Sequence, residues 1–460
     1  MNDIKSIITD ASSNLAGVGF DELVVGIEKE RVFGVRVANN VICRENILTN
    51  KTIAYLSAAL DGKRAQRAIA ARKSQDLVEA GEELLNELKH RTPDAEFVPA
   101  KLLEGQLSWR VKSKGFDQSY GPEILYPILE KHLKRVRSQG LRATGYFEVK
   151  QSDRFESHLN GFELESFDHG MTMTVTIDDR NGATGVAQGS IVELNDGELP
   201  DRIGSLFDDA IGIATQNSNS EPLEPGDYEV ILSPHAVYQM LAASLWYGMY
   251  DCRKVDENRT WLSKCWRELN FPEGLVLSQE VERVLAGSRI GGLNLNSRRF
   301  PCGNLKLIEN GNIAGFHTDA FWSAKHDKVE TFGPTDAPIT VLESKGDSIP
   351  HYKDLTELIK QSKRAIFVND FWYLRMVAEM EGVITGMTRD GVFEVRDGKI
   401  IRSLKNMRWH ENPIKVMERI NGITEKLCLF GRSQLTNGSF PAAMPALRLS
   451  KFHFSSVTRF

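Results

Sequence analysis

Tyr228-Glu-Val-Ile-Leu-Ser-Pro-His-Ala-Val-Tyr-Gln-Met-Leu-Ala-Ala-Ser-Leu-Trp-Tyr-Gly-Met-Tyr250 reads as a short apolar strand, Glu229–Leu232, followed at once by a helix. Ser233 is a side chain that caps helix N-termini, and Pro234 suits a first helical turn. The helix is apolar nearly all round, which predicts burial between layers rather than a place on a surface. The second half of the chain is expected to be built on this strand–helix unit.

Upstream of it lies the sharpest change in composition. Gln216–Asp227 holds two prolines and one large apolar residue, and is read as a linker between an N-terminal α/β domain (1–215) and a β-rich C-terminal domain (228–460). The first domain starts with a short helix over 3–17, with Ile4, Ile7 and Ile8 inward. Two strands, Glu22–Ile27 and Arg31–Val37, flank the polar Glu28-Lys29-Glu30, and Val41–Leu48 is a third. Ser74 is a candidate N-cap for a helix with Leu77, Gly81, Leu84, Leu85 and Leu88 on one face, ending at Thr92-Pro93. Pro122 starts another, closed by Gly140. Leu141–Val149, Phe162–Phe167 and Met171–Asp178 read as strands. In the last, Met171, Met173, Val175 and Ile177 alternate with polar residues, the pattern of an antiparallel sheet with one wet face. Asp179–Gly182 is a turn, and Pro200–Thr215 an amphipathic helix.

Downstream, Gly274–Glu282, Leu305–Ile313, Ala365–Val368, Phe371–Val377, Val392–Val395, Ile400–Leu404 and Leu447–Phe454 read as strands. Asn310-Gly311 and Asp397-Gly398 mark hairpins. The expected class is α+β: an α/β N-terminal domain, then mixed and antiparallel sheets around a buried central helix.

The chain has 460 residues, 41% hydrophobic and 26% charged, the composition of a globular protein of two or three domains. A net charge of −5 gives no electrostatic case for direct nucleic-acid binding. The basic clusters Lys63–Lys73 and Lys131–Arg137 are read as solvated helix faces. No apolar run reaches the length of a membrane span, and Met1–Ser6 does not start a signal peptide. Five scattered cysteines without a C-x-x-C pair suit a reducing cytoplasm.

Chemistry is sparse. No two histidines have zincin spacing, and His317-Thr-Asp319 is read as a turn. His235, in the first turn of the central helix, is read as a core or capping residue rather than a ligand. Cys302, near Arg298 and Arg299, is read as structural. The glycine-rich Gly287–Gly292 is read as a loop between strands. The pairs Asp178-Asp179, Asp208-Asp209 and Glu82-Glu83 fall on turns or helix surfaces, and no catalytic role is assigned to them. The aromatics Trp246, Trp261, Trp266, Phe321, Trp322, Phe371, Trp372 and Tyr373 are assigned to core packing.

Three C-terminal segments carry a resemblance: Ile384-Thr-Gly-Met-Thr-Arg-Asp-Gly-Val-Phe-Glu-Val-Arg-Asp-Gly-Lys-Ile400, Ser403-Leu-Lys-Asn-Met-Arg408 and Pro441-Ala-Ala-Met-Pro-Ala-Leu-Arg-Leu449. With Asp153-Arg-Phe, Asn160-Gly-Phe162 and Tyr228–Leu232, they resemble the TldD/PmbA (TldE) family over most of the chain. That family implies cytoplasmic, heterodimeric metallopeptidases. Its TldD-type subunit carries His-Glu-x-x-x-His on the central helix and a further cysteine ligand near the C-terminus. The motif positions fall at about Ala242, Ala243 and Tyr247, and Cys428 lacks the family cysteine's setting. The resemblance therefore implies the non-metal subunit: no metal, cofactor or catalytic residue in this chain, and zinc only in a TldD-like partner. Expected partners are that subunit or a second copy of the chain, and an extended peptide held for proteolysis. A stand-alone homodimeric peptide-binding protein is the alternative, and an enzyme of other chemistry ranks last. A DNA gyrase modulator label also accompanies the family.

Overall fold

A computed structural model describes residues 2–43, 47–99, 108–112, 121–179, 181–191, 198–285, 288–291, 302–334, 339–431 and 440–458. Within them the chain runs α1 (Asn2–Leu15), β1 (Glu22–Ala38), β2 (Val41–Ile42), β3 (Ile47–Leu60), β4 (Lys63–Ile69), α2 (Ser74–His90), β5 (Ser108–Lys112), α3 (Pro122–Ser138), β6 (Arg142–His158), β7 (Glu163–Asp178), β8 (Thr184–Ile191) and α4 (Leu199–Gln216). The second half runs β9 (Gly226–Leu232), α5 (Pro234–Trp246), α6 (Cys252–Asp256), α7 (Leu262–Cys265), β10 (Leu275–Glu280), β11 (Glu282–Leu285), β12 (Ser288–Gly291), β13 (Leu305–Glu309), β14 (Asn312–Ile313), α8 (Ala320–His326), β15 (Ile339–Ser344), β16 (His351–Tyr352) and α9 (Leu355–Lys360). It closes with β17 (Arg364–Ala378), β18 (Val383–Arg396), β19 (Lys399–Ser403), β20 (Met407–Glu411), β21 (Ile420–Thr424), β22 (Cys428–Phe430), β23 (Ala442–Met444) and β24 (Leu447–Val457). The class is α+β, as expected.

The first sheet has the order β4-β3-β1-β6-β7-β5, with β2 on β1 and β8 on β7, and only β5–β7 is parallel. Odd-numbered side chains of β1 and β6 face the helices. Leu23, Val25 and Ile27 meet α1 and α2, while Val35, Phe147 and Val149 meet α3 and α4. On β7 the predicted alternation holds: Met171, Met173, Val175 and Ile177 are buried on that face.

Several strands are longer than their hydrophobic pattern suggests. Glu22–Ile27 and Arg31–Val37 are one strand, β1, because Glu28-Lys29-Glu30 satisfies its charges across the sheet. Glu28 accepts from Ser152 Oγ and Arg154 Nη2, both at 2.7 Å, and Glu30 pairs with Lys150 at 2.7 Å. Burial works against ionisation of Glu28, but Arg154 and Ser152 outweigh it and hold the carboxyl below its ordinary range. Phe162–Phe167 and Met171–Asp178 likewise merge into β7, as do Ala365–Val368 and Phe371–Val377 into β17. The basic cluster at Lys63–Lys73 is not helical. Residues 63–69 form β4, whose Arg67 reaches Glu83 and Glu87 on α2. Lys73, not Ser74, is the N-cap of α2.

In the second half, β9, β17, β18, β20 and β24 close on one another. The order β24-β20-β18-β17-β9 is completed by β9 pairing with β24, and β21 and β16 extend from β24. A second sheet has the order β14-β13-β10-β15-β23-β22. Helix α5 packs on β9 and β17 of the ring and on β22 and β23 of the second sheet, sharing one core with both. Ser233 caps it as predicted: its Oγ accepts from Ala236 N at 3.1 Å and donates to Asn369 O at 2.6 Å. Nine of its residues are buried, and each large side chain among them contributes about 1.5–3 kcal/mol.

The stretch between α4 and β9 lies against the ring. Glu221 N donates to Ser403 O, Lys405 N donates to Glu221 O, and Ser220 Oγ lies 2.7 Å from Ser403 Oγ. None of the helices is long and apolar enough to cross a membrane, among the described residues.

Candidate functional site

The helix expected to hold a metal in relatives offers no ligand here at the motif positions. Ala242 and Ala243 put buried methyl groups into the core. Tyr247 follows the last turn, and its carbonyl accepts from Lys254 Nζ at 2.8 Å. Two methyls and a phenol cannot supply the imidazole, carboxylate or thiolate that zinc requires, so these positions do not fit the metal. Among the described residues no group of three or more histidine, cysteine or acidic side chains is arranged to hold a metal ion.

The opposite end of α5 opens onto a cavity of about 460 Å³ between the two halves of the molecule. One wall is β8 and α4, with Val186, Gln188 and Gly212. The other is the start of α5 with Ser233 and His235, together with Phe393, Cys428 and Phe430. Asn369 ties the walls together: its Nδ2 donates to Val186 O on β8 and to Asp390 O on β18, both at 3.0 Å.

His235 Nδ1 lies 3.0 Å from Asp370 Oδ1, and both side chains are largely buried. The imidazole stacks on Phe430 at 5.7 Å, and Phe430 stacks on Tyr238 at 4.7 Å. Asp390 stands nearby. Burial raises its pKa, and the neighbouring Asp370 adds to that, while a Thr184 hydrogen bond opposes it. Gln239, one turn further along α5, exchanges two 2.7 Å hydrogen bonds with the backbone of Phe371, extending the edge of β17 beyond its pairing with β9. The arrangement can bind polar groups, and Asp370 and Phe430 hold the His235 ring in one orientation. Its one thiol is a poor nucleophile, since burial pushes Cys428 upward in pKa and keeps it protonated.

The other sequence candidates separate. His317 is buried, with Nε2 2.7 Å from Gln279 Oε1, and burial pushes its pKa down to about 3. Asp319 caps α8 through Trp322 N. Asp178 pairs with Arg142, Asp208 with Arg135 and Glu83 with Arg67, while Asp179 accepts from Asn181 N and Ala183 N in its turn. Cys302 packs beside Phe332, and Arg298 and Arg299 lie outside the described residues. Of Gly287–Gly292, residues 288–291 form β12, and Gly287 and Gly292 lie outside the described residues. The aromatics do not all serve the core: Phe371 is buried, but Trp246, Trp372 and Tyr373 are 66%, 49% and 48% exposed.

Sequence reasoning missed Asn369 and Asp370. A signal was present, since this polar pair interrupts an otherwise apolar strand. It was read as a gap between two strands, whereas it is the part of β17 that faces α5.

A family model described as the PmbA/TldA metallopeptidase C-terminal domain matches residues 225–456. Comparison with curated proteins finds no match. Among solved structures, TldE from Thermococcus kodakarensis superposes with a TM-score of 0.78 at 16% identity, covering 98% of this chain and 100% of that one. A protein from Thermotoga maritima whose name makes it a modulator of a DNA gyrase superposes at 0.77 with 14% identity, over 98% of this chain and 100% of its own. A similarly named protein from Bacteroides thetaiotaomicron gives 0.75 and 14%, over 98% and 99%. These identities are evidence of a shared fold, and the sequence match spans the ring, the second sheet and α5. By its C-terminal half and its whole architecture, the chain belongs to the PmbA/TldD metallopeptidase family.

Proposed function

We propose that this chain is the non-metal-binding partner of a TldD-like zinc peptidase, helping to enclose the site of proteolysis and to hold an extended peptide there. One observation carries the reading: at the positions where the family's metal-binding helix would present its ligands, this chain has Ala242, Ala243 and Tyr247. A metal-activated water would then belong to the partner subunit. The likeness to TldE supports the pairing, and the cytoplasm is the compartment the cysteine usage suits.

The test is co-expression with a TldD-like protein from the same source, followed by purification and metal analysis of each subunit. The expected result is a mixed complex with zinc in the partner only and peptidase activity in the complex only. Stoichiometric zinc and peptide cleavage by the isolated chain would sink the proposal. Recovery of a homodimer alone, with the TldD-like protein present, would favour a stand-alone peptide-binding protein.

A further inference from the structure

The cavity beside α5 has an unusual wall, because one side of it is the edge of a sheet. Among the described residues β7 is the only strand that pairs with β8. The free edge of β8 is partly closed by side chains. Asn217 Nδ2 donates to Thr184 O at 2.8 Å, and Asn369 Nδ2 donates to Val186 O at 3.0 Å. In an antiparallel strand the outward-facing N–H and C=O groups recur at every second residue. The next outward positions are therefore Gln188 and Ser190. Gly431 packs over the side chain of the second, where a Cβ would lie 2.8 Å from Ser190 Oγ and 3.1 Å from Thr172 Oγ1. Gln188, the first of them, lines the cavity.

The rest of the lining suits a particular occupant. Phe393, Phe430, Ile213 and Ile359 supply apolar surface. With Asp208 paired to Arg135, Asp209 and Asp354 stand against a single lysine, Lys426, so the lining offers no surplus positive charge for phosphates and other anions. About 460 Å³ is within the range of ligand pockets and admits a short segment of chain. We infer that the cavity holds a short extended segment of a neutral or basic peptide, paired through its backbone with Gln188 and placing an apolar side chain toward Phe393 and Phe430. Strand addition of this kind takes affinity from main-chain hydrogen bonds and selects through the pocket beside them. The inference rests on the peptide-holding reading above and gives it a location in this chain.

Two substitutions test the site without disturbing the fold. Gly212 is on α4, lines the cavity, and has nothing within 4 Å of where a Cβ would stand. Gly212→Trp fills the space from a helix that gains by losing a glycine. Gln188→Pro removes the outward N–H from an edge strand, where proline is tolerated. The probe is a dansylated heptapeptide of alternating valine and serine ending in lysine amide, with a twin N-methylated at alternate peptide nitrogens. Binding is followed by fluorescence anisotropy on the full chain, and folding by circular dichroism.

The expected result is that the plain peptide binds and its N-methylated twin binds about tenfold more weakly, the scale of one unmade hydrogen bond. Gln188→Pro should weaken the plain peptide by a similar factor, and Gly212→Trp should abolish binding. Equal affinity for the two peptides, or binding that survives both substitutions in folded protein, overturns the assignment to this cavity while leaving peptide holding to another surface. Failure of the peptide to bind either the isolated chain or its complex with a metal-binding subunit overturns both.

Discussion

At the scale of single residues, packing fixes the protonation state of one histidine. His317 is enclosed with its Nε2 against Gln279, and burial holds it neutral. Its folded pKa of about 3 lies below the unfolded value of about 6.5. The unfolded chain therefore binds a proton that the folded chain refuses. The stability this provides is complete above about pH 6.5 and is lost as pH falls toward 3, by up to about 1.4 kcal/mol per pH unit. Denaturant unfolding between pH 7 and pH 4 should show the decline, and His317→Gln should flatten it; an unchanged slope in the variant would exclude His317 as its source. His235 was only half legible in the sequence. Its place in the first turn of a helix could be read from Ser233-Pro234, but its contact with Asp370 depends on a strand more than a hundred residues away. Local pattern carries no information about such a pairing. By contrast, that Ala242, Ala243 and Tyr247 carry no zinc-binding group follows from residue type alone.

At the scale of elements, the Thr-Gly step of β18 has a steric reason. A Cβ on Gly386 would run into the indole of Trp409, which pairs with it across the ladder, and Thr385 Oγ1 donates to Trp409 O at 3.2 Å. The glycine lets a fully buried tryptophan lie flat against the sheet. Gly386→Ala should cost about 1–3 kcal/mol through overpacking, seen as a lower denaturation midpoint, whereas Gly189→Ala, which meets nothing within 4 Å, should cost less than 1 kcal/mol. Equal midpoints for the two variants would contradict this account. Helices were the elements most legible in the sequence: α1, α3 and α4 end within a residue or two of their predicted limits, and α5 starts where Ser233-Pro234 places it. Strands were less so, since apolar alternation breaks wherever a sheet carries charge on one face. Glu28–Glu30 in β1 and Asn369-Asp370 in β17 are both polar positions satisfied by a neighbouring strand or helix.

At the scale of the whole molecule, the two halves are joined by specific polar contacts as well as by the chain. Asn369 bridges β8 and β18, and Ser403 Oγ, which lies beside Ser220, donates to Asn217 Oδ1 at 2.7 Å. A Cβ on Gly391 would strike Ile213 of α4, so the halves also meet closely through side chains. Read from composition, residues 216–227 are a linker; in the structure, polar residues there serve as partners for the ring. Ser403→Ala should loosen that seam, so that the amides of Glu221 and Lys405 exchange with deuterium about tenfold faster by mass spectrometry. Unchanged exchange would mean that the backbone bridge holds without the hydroxyl.

The pairing of β9 with β24 has a consequence for how the protein is made. Leu232 is paired with Leu447, roughly two hundred residues later in the chain. At translation rates of about 5–20 residues per second, about ten to forty seconds separate the synthesis of the two strands. Throughout that interval the edge of β9 that β24 will take is vacant, even after β17 has paired with its other edge and covered part of α5. Nascent chains arrested between the two strands should therefore be the form that chaperones hold, with release following the arrival of β24.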